Sequence, residues 1–301
     1  MVSQLSIAAV EREVGISKDV LRVWERRYGF PSPTRDAHGE RLYPAEQVRQ
    51  LRLVKRLMDQ GLRPGRLLTG SLGQLEALAA QASPPQPAPA ESPDGRVVDD
   101  LGALLACLRV HDAEGLQRAL QQRIAEAGLA SFVLDTIAPL AARVGDEWAR
   151  GAMEVYEEHL FTEVASRLLR QALATVPRGR GPVVLLTTVP EEAHGLGLLM
   201  LECLLTLHGG RCINLGTQVP VLDIVRAAQA YRAEVVALSF ASSFSARRIP
   251  ELIEQLRSSL PDAVQLWVGG AGVRRLAPPE GVQVPGSLEE SVMALGAWVD
   301  Q

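Results

Sequence analysis

The sequence predicts a multidomain chain of α and α/β architecture: a winged helix-turn-helix head, a four-helix bundle and a parallel α/β domain, in that order. Three observations predict it. Five prolines between Gln81 and Pro93 deny backbone donors and favour extended polyproline II over a packed element, so a linker divides the chain. Ahead of it, residues 3–80 read as helices interrupted by one β-prone hairpin. Behind it, helical spacing without strand signals gives way from Gly181 to apolar β-branched runs alternating with helical stretches. The expected boundaries are a head at 1–72, a linker at 73–95, a bundle at 96–177 and an α/β domain at 178–301.

In the head, Ile7 to Val14 is short and apolar-spaced, Ser17 is placed to cap a second helix to about Arg27, and Pro44 opens a third running to Gln60. Between the second and third, Tyr28 to Tyr43 carries turn residues and a β-prone end, as a hairpin wing does. Breaks near His111-Asp112, Gly128 and Gly151 divide the middle segment into four helices. Strands are expected at Val183–Thr188, Cys212–Gly216, Glu234–Phe240, Val264–Val268 and, more weakly, Gly281–Val284. Right-handed crossovers then gather the functional loops at the carboxyl ends of these strands.

Composition narrows the class of protein. With 47% apolar and 22% charged residues among 301, wholesale disorder is excluded, and no uninterrupted apolar run of about 18 residues suggests a membrane span. The first residues, Met-Val-Ser-Gln-Leu-Ser, show no leader pattern, so a soluble cytoplasmic protein is expected. The three cysteines, Cys107, Cys203 and Cys212, lack both a disulfide framework and metal-ligand spacing, and read as reduced core residues. A net charge of −4 argues against nucleic acid as a partner. That average is misleading: residues 1–66 hold 13 Lys/Arg against 8 Asp/Glu, leaving 18 against 27 in the remainder, so a +5 head is joined to a −9 body.

The second helix offers Lys18, Arg22 and Arg26 four residues apart on one face, suited to a major groove and its flanking phosphates, with Arg27 beside them. Arg35 and Arg41 lie in the wing, within reach of backbone phosphates or a neighbouring minor groove, whereas Trp24 and Tyr43 are expected in the core. The runs Val20-Leu-Arg-Val-Trp-Glu-Arg-Arg-Tyr-Gly-Phe-Pro and Gly39-Glu-Arg-Leu-Tyr-Pro resemble the DNA-binding domain of the MerR family over residues 5–68. The resemblance implies a dimer on inverted repeats of operator DNA. None of the cysteines lies where MerR relatives sense metals, which moves the expected signal to the acidic body.

In that body, Glu192-x-His194-x-x-Gly197 puts an imidazole on a loop at the carboxyl end of the first strand, where open α/β sheets bind cofactors. A carboxylate beside it can fix the ring's tautomer, and a glycine lets a large flat ligand approach the backbone. This pattern, followed by Ser239 at the third strand's end and by Gly269-Gly270 at the fourth's, resembles the cobalamin-binding domain, which has a Rossmann-like (flavodoxin-like) fold. The resemblance implies that His194 is the lower axial cobalt ligand, that Ser239 hydrogen-bonds a buried benzimidazole tail, and that Gly269 and Gly270 open its slot. Ala241 stands where the family's Ser-x-Leu has leucine. Trp148, nine residues and then Glu158-His159 are similar to the Trp-x9-Glu-His motif of cobalamin photoreceptor regulators of the CarH/LitR type. There the bundle caps the cofactor's upper face, with an apolar wall from Trp148 and polar contacts from Glu158 and His159. The residue after Trp148 is Ala149, so the resemblance is carried to cofactor binding and light-dependent release but not to a second histidine on cobalt. His111 and His208 read as surface or cap residues.

The expectation is a non-enzymatic repressor that binds adenosylcobalamin, assembles from dimers into a tetramer in the dark, and leaves operator DNA when light breaks the cobalt–carbon bond. Alternatives stay open at this point: a regulator sensing cobalamin form, one binding another planar ligand such as haem, or one working without a cofactor. A corrinoid carrier for methyl transfer is disfavoured by the attached basic head. No Ser/His/Asp or facing carboxylate pair suggests catalysis, because Glu191 and Glu192 are adjacent.

Overall fold

The computed structural model describes residues 4–36, 39–59, 62–82, 96–274, 276–277 and 279–299. It forms two compact units, Met1–Gly95 with Gly145–Glu154, and Arg96–Val144 with Val155–Gln301.

The N-terminal unit runs β1 (Gln4–Ser6), α1 (Ile7–Val14), α2 (Lys18–Tyr28), β2 (Thr34–Arg35), β3 (Arg41–Pro44), α3 (Ala45–Asp59), α4 (Pro64–Leu67) and α5 (Leu72–Ala82). Serine caps start the first two helices: Ser6 accepts from the Ala9 amide and Ser17 from the Val20 amide. Both end on left-handed glycines, Gly15 and Gly29, whose amides close back on the last turn. β1, β3 and β2 form a small antiparallel sheet in that order, which is the wing. Trp24 and Tyr43, both buried, join Val10, Leu21, Leu51 and Leu57 in the core. α5 corrects the expected linker start at residue 73, because Leu75 is fully buried in this same core and draws its helix onto the head. The proline-rich stretch 83–95 lies outside the described residues.

After the linker come α6 (Arg96–Arg109), α7 (Ala113–Ser131), a π-helical turn (Phe132–Ile137), α8 (Ala138–Ala149) and α9 (Val155–Leu173), all of the second unit except that α8 passes into the first at Gly145. Asp112 caps α7 by accepting from the Gly115 amide at 2.8 Å. Gly128, at φ 76° and ψ 169°, breaks the long helical run in two, so four helices result. The stretch Ala113–Trp148 is long and apolar enough, by length and composition, to cross a membrane. Here its apolar residues Leu116, Leu120, Phe132, Ile137 and Leu140 are buried within the fold.

The α/β domain follows with β4 (Val183–Thr187), α10 (Leu196–Leu207), β5 (Arg211–Asn214), α11 (Val221–Tyr231), β6 (Val235–Ser239), α12 (Ile249–Ser259), β7 (Gln265–Gly269), β8 (Val282–Gln283) and α13 (Leu288–Val299). All strand pairs are parallel and the order is β5-β4-β6-β7-β8, the 2-1-3-4-5 order of flavodoxin-like folds. Alternate residues serve the two faces. Leu185, Val236, Leu238 and Leu266 pack with residues of α11 and α12, while Val184, Leu186, Ala237 and Trp267 pack with residues of α10 and α13. Burial of both faces explains why the strands read as continuous apolar runs. Because the chain steps from β4 to β5 on one side and then to β6 on the other, the loop after β4 lies at the topological switch point.

Candidate functional site

β4 ends at Thr187, and the switch-point loop carries Glu192 and His194 before α10 begins at Leu196. Glu192 is 1% exposed, and burying a carboxylate is costly unless donors surround it. Three N–H groups do so. The His194 amide (2.9 Å) and His194 Nδ1–H (2.6 Å) donate to Oε1, and the Ala241 amide donates to Oε2 at 2.8 Å. With Nδ1–H committed to Glu192, Nε2 is left as the acceptor, on a side chain that stays 59% exposed. The Glu192 hydrogen bond raises the His194 pKa against the opposing effect of burial, with smaller contributions from the charges of Glu192 and Glu158.

Small residues open the space beside this loop. A Cβ on Gly197 would sit 3.0 Å from Ser239 Oγ, and Ser239 pairs in register with Gly269 across β6 and β7. Gly197, Ser239 and Gly269 are thus brought together at the strand ends. The two neighbouring glycines differ in their reasons for being glycine. A Cβ on Gly270, at φ 97°, would strike the Phe240 carbonyl at 2.4 Å, whereas one on Gly269 meets nothing within 4 Å. Gly270 serves the backbone turn and Gly269 leaves open space.

On α9, Glu158 accepts from Thr162 Oγ1 at 2.8 Å and pairs with His159 Nδ1 at 2.8 Å, leaving most of the His159 side chain in solvent. Trp148, half-buried in the last turn of α8, belongs to the N-terminal unit, and Glu158, His159 and His194 belong to the second. His208 ends α10 with Nδ1 bonded to the Leu204 carbonyl at 2.8 Å, and His111 lies beside Tyr156 and 3.7 Å from Glu157. Burial pushes the Cys203 and Cys212 thiols up to about 12; Cys203 is a core residue as expected, whereas Cys107 and Cys212 are only half-buried.

Sequence reasoning missed two supports of the loop. The Thr188 hydroxyl donates to the Glu192 carbonyl (2.5 Å) and accepts from the Gln218 amide (2.8 Å), tying the loops after β4 and β5 together. The Ala241 amide was hidden because a backbone donor leaves no mark in the residue's identity. The set of residues suits a cobalt corrinoid. Among the described residues, no cluster of three or more His, Cys, Asp or Glu side chains is arranged to hold a metal ion. A metal here would meet one protein nitrogen and bring its remaining ligands with it, which is what a corrin ring does.

On the head, Lys18, Arg22 and Arg26 lie along the outer face of α2. Lys18 is 3.4 Å from Glu11 and Arg22 3.1 Å from Asp19, both on exposed side chains, and Arg26 is exposed. Arg35 is exposed on the wing, its Nη1 donating to the Gly39 carbonyl at 2.7 Å. Arg41, expected to reach phosphates or a minor groove, directs its Nε to Glu25 of α2 at 2.7 Å, and only a quarter of its side chain is exposed. It braces the wing against the second helix.

Three stretches of the chain match known families. Residues 5–67 match the MerR HTH family regulatory protein model, residues 101–173 one B12 binding domain model and residues 182–283 another. The chain is 33% identical over 263 residues to the HTH-type transcriptional repressor CarH of Myxococcus xanthus, covering 86% of each. It is 31% identical over 275 residues to the HTH-type transcriptional repressor CarA of the same organism, covering 90% of this chain and 88% of the other. The monomethylamine corrinoid protein of Methanosarcina barkeri superposes with a TM-score of 0.50 at 16% identity, over 66% of this chain and 98% of that one, a likeness of fold.

Proposed function

Since the chain belongs to the family of helix-turn-helix transcriptional repressors that includes CarH and CarA, with a MerR head and B12-binding domains, we propose that it is a light-released, adenosylcobalamin-dependent repressor. The observation that carries this reading is the Glu192–His194 pair at the switch point of the sheet, with Nδ1–H spent and Nε2 left to bind. His194 would hold cobalt from below, while Gly197, Ser239 and Gly269 would admit the benzimidazole tail. Gly270, beside them, keeps the turn that shapes this slot. Trp148, Glu158 and His159 would cover the upper face, as an apolar wall with a few placed polar groups. Bound adenosylcobalamin supplies a cobalt–carbon bond that light breaks.

The head binds operator DNA through Lys18, Arg22, Arg26 and Arg35, with Arg41 bracing the wing. In the dark, dimers assemble into a tetramer, so several heads engage adjacent half-sites and avidity supplies the affinity. After light, assembly and operator affinity are lost. A ~10⁴-fold switch requires the intact cofactor to favour the assembled form by about 5.5 kcal/mol. The protein works in the cytoplasm, as a regulator and not as an enzyme.

One experiment tests this. Adenosylcobalamin is added to the apoprotein in the dark, and absorbance, native mass and operator binding are recorded before and after green light. A histidine-bound cobalamin spectrum, a mass increase and tight operator binding are expected in the dark, all reversed by light. His194→Ala should abolish the histidine-bound spectrum with the fold intact. An unchanged spectrum in that variant, or dark addition without any change in mass, overturns the reading.

A further inference from the structure

The second helix of the head, α2, carries two exposed apolar side chains amid its charged ones. Val20 is 38% and Val23 44% exposed, both on α2, an eleven-residue helix whose other outward side chains are Lys18, Asp19, Arg22, Arg26 and Arg27. Buried Leu21 and Trp24 fill the opposite face, so neither valine is needed for packing. Residues three apart on a helix are neighbours, which places the two isopropyl groups side by side. Charged arms flank them: Arg22 is held by Asp19 at 3.1 Å, and the Arg27 guanidinium lies 5.3 Å over the Tyr28 ring. Valine is also a weaker helix former than the polar residues that usually fill such a face.

We infer that Val20 and Val23 are sequence-reading residues that pack on the 5-methyl groups of thymines in the operator's major groove. In that groove thymine is the base that presents an apolar group, and small apolar side chains read it by contact. The N-terminal part of a recognition helix is the part that meets base edges, and both valines lie in the first six residues of α2. The arginines around them bind phosphate and set the helix's depth, while the valines supply preference among sequences. This inference rests on the DNA-binding role of the head proposed above.

Selection from a random duplex pool, using full-length protein with adenosylcobalamin in the dark, yields the preferred half-site. Each thymine in it is then replaced by uracil, which removes the methyl and leaves the Watson–Crick edge unchanged. For the native protein, uracil at one or two positions per half-site should weaken binding about fourfold per methyl, the equivalent of one buried methyl-sized group. Val23→Ala and Val20→Ala should abolish that difference at their own positions, since alanine favours the helix and leaves the arginines in place. Equal affinity of the native protein for thymine and uracil duplexes at every position overturns the inference, as does a uracil penalty that survives in both variants. If no sequence is enriched although the protein carries cofactor, the operator reading itself fails, and the inference with it.

Discussion

Glu192 lies 2.6 Å from Nδ1 of His194 and is itself almost wholly buried, so an anionic support stands directly behind the exposed imidazole. Such a partner does two things for a metal ligand: it fixes the tautomer with Nε2 unprotonated, and it raises the basicity of that nitrogen. Glu192→Gln keeps the shape and one acceptor but removes the charge. Cobalamin affinity, read from the absorbance titration in the dark, should fall about 10–100-fold, while the far-ultraviolet circular dichroism remains native. Affinity equal to the native protein's would show that the carboxylate does not tune His194.

Gly269 and Gly270 should separate in a stability test. Gly270→Ala forces a Cβ to within 2.4 Å of the Phe240 carbonyl at a positive φ, so the α/β domain should lose more than about 1 kcal/mol in urea titration. Gly269→Ala meets open space, so stability should change little. Gly269→Leu, by filling that space, should weaken cobalamin binding while the unfolding midpoint stays near native. Equal destabilisation by both alanine substitutions would contradict the assignment of one glycine to the turn and the other to the slot.

The basic residues of the head should also divide. Arg26 is exposed on the outer face of α2, so Arg26→Ala should weaken binding to operator and random DNA alike and reduce the slope of log affinity against log salt by about one. Arg41 spends its Nε on Glu25 at 2.7 Å with little exposure. Arg41→Ala should instead lower the stability of the head, by about 1 kcal/mol, with the salt slope unchanged. Measuring thermal unfolding and salt-dependent binding on both variants checks the two outcomes together.

Much of this was legible in the sequence, for identifiable physical reasons. The strands of the α/β domain showed because burial on both faces demands unbroken apolar runs such as Val183–Thr187, and Gly128 marked the break in the bundle because only a glycine sits easily at φ 76°. His194 and Glu192 were visible as side chains two apart at a strand end. The Ala241 amide that completes the carboxylate's cage was not, since backbone hydrogen bonding across 49 residues is a property of the fold. The Arg41–Glu25 pair was hidden for a related reason: composition reveals that a wing is basic, but the carboxylate that pairs with one of its charges comes from α2, 16 residues earlier. The end of the head was likewise set too early, because a few leucines at helical spacing outweigh the nearby prolines once a core is present to receive them.

Arg49 of α3 donates from Nη2 to the Gly151 carbonyl at 2.7 Å, and the Gly151 amide in turn donates to the Trp148 carbonyl at 3.0 Å. The turn that terminates α8 is therefore fastened to the third helix of the head, three residues beyond the indole proposed to cover the cofactor. Gly151 holds this turn at φ 69°, and the Ala152 amide closes it further on the Glu147 carbonyl at 2.9 Å. A hydrogen bond from a charged donor contributes about 1.5–3 kcal/mol when its partner is shielded. Arg49→Met keeps the apolar stem and removes the donor. Amide hydrogen exchange over Gly145–Glu154 should accelerate roughly 10–100-fold in that variant, following the lost free energy, while exchange in β4 to β7 stays as in the native protein. Unchanged protection of the segment would mean that the turn keeps its shape without the arginine, and that the head exerts no hold on the chain next to Trp148.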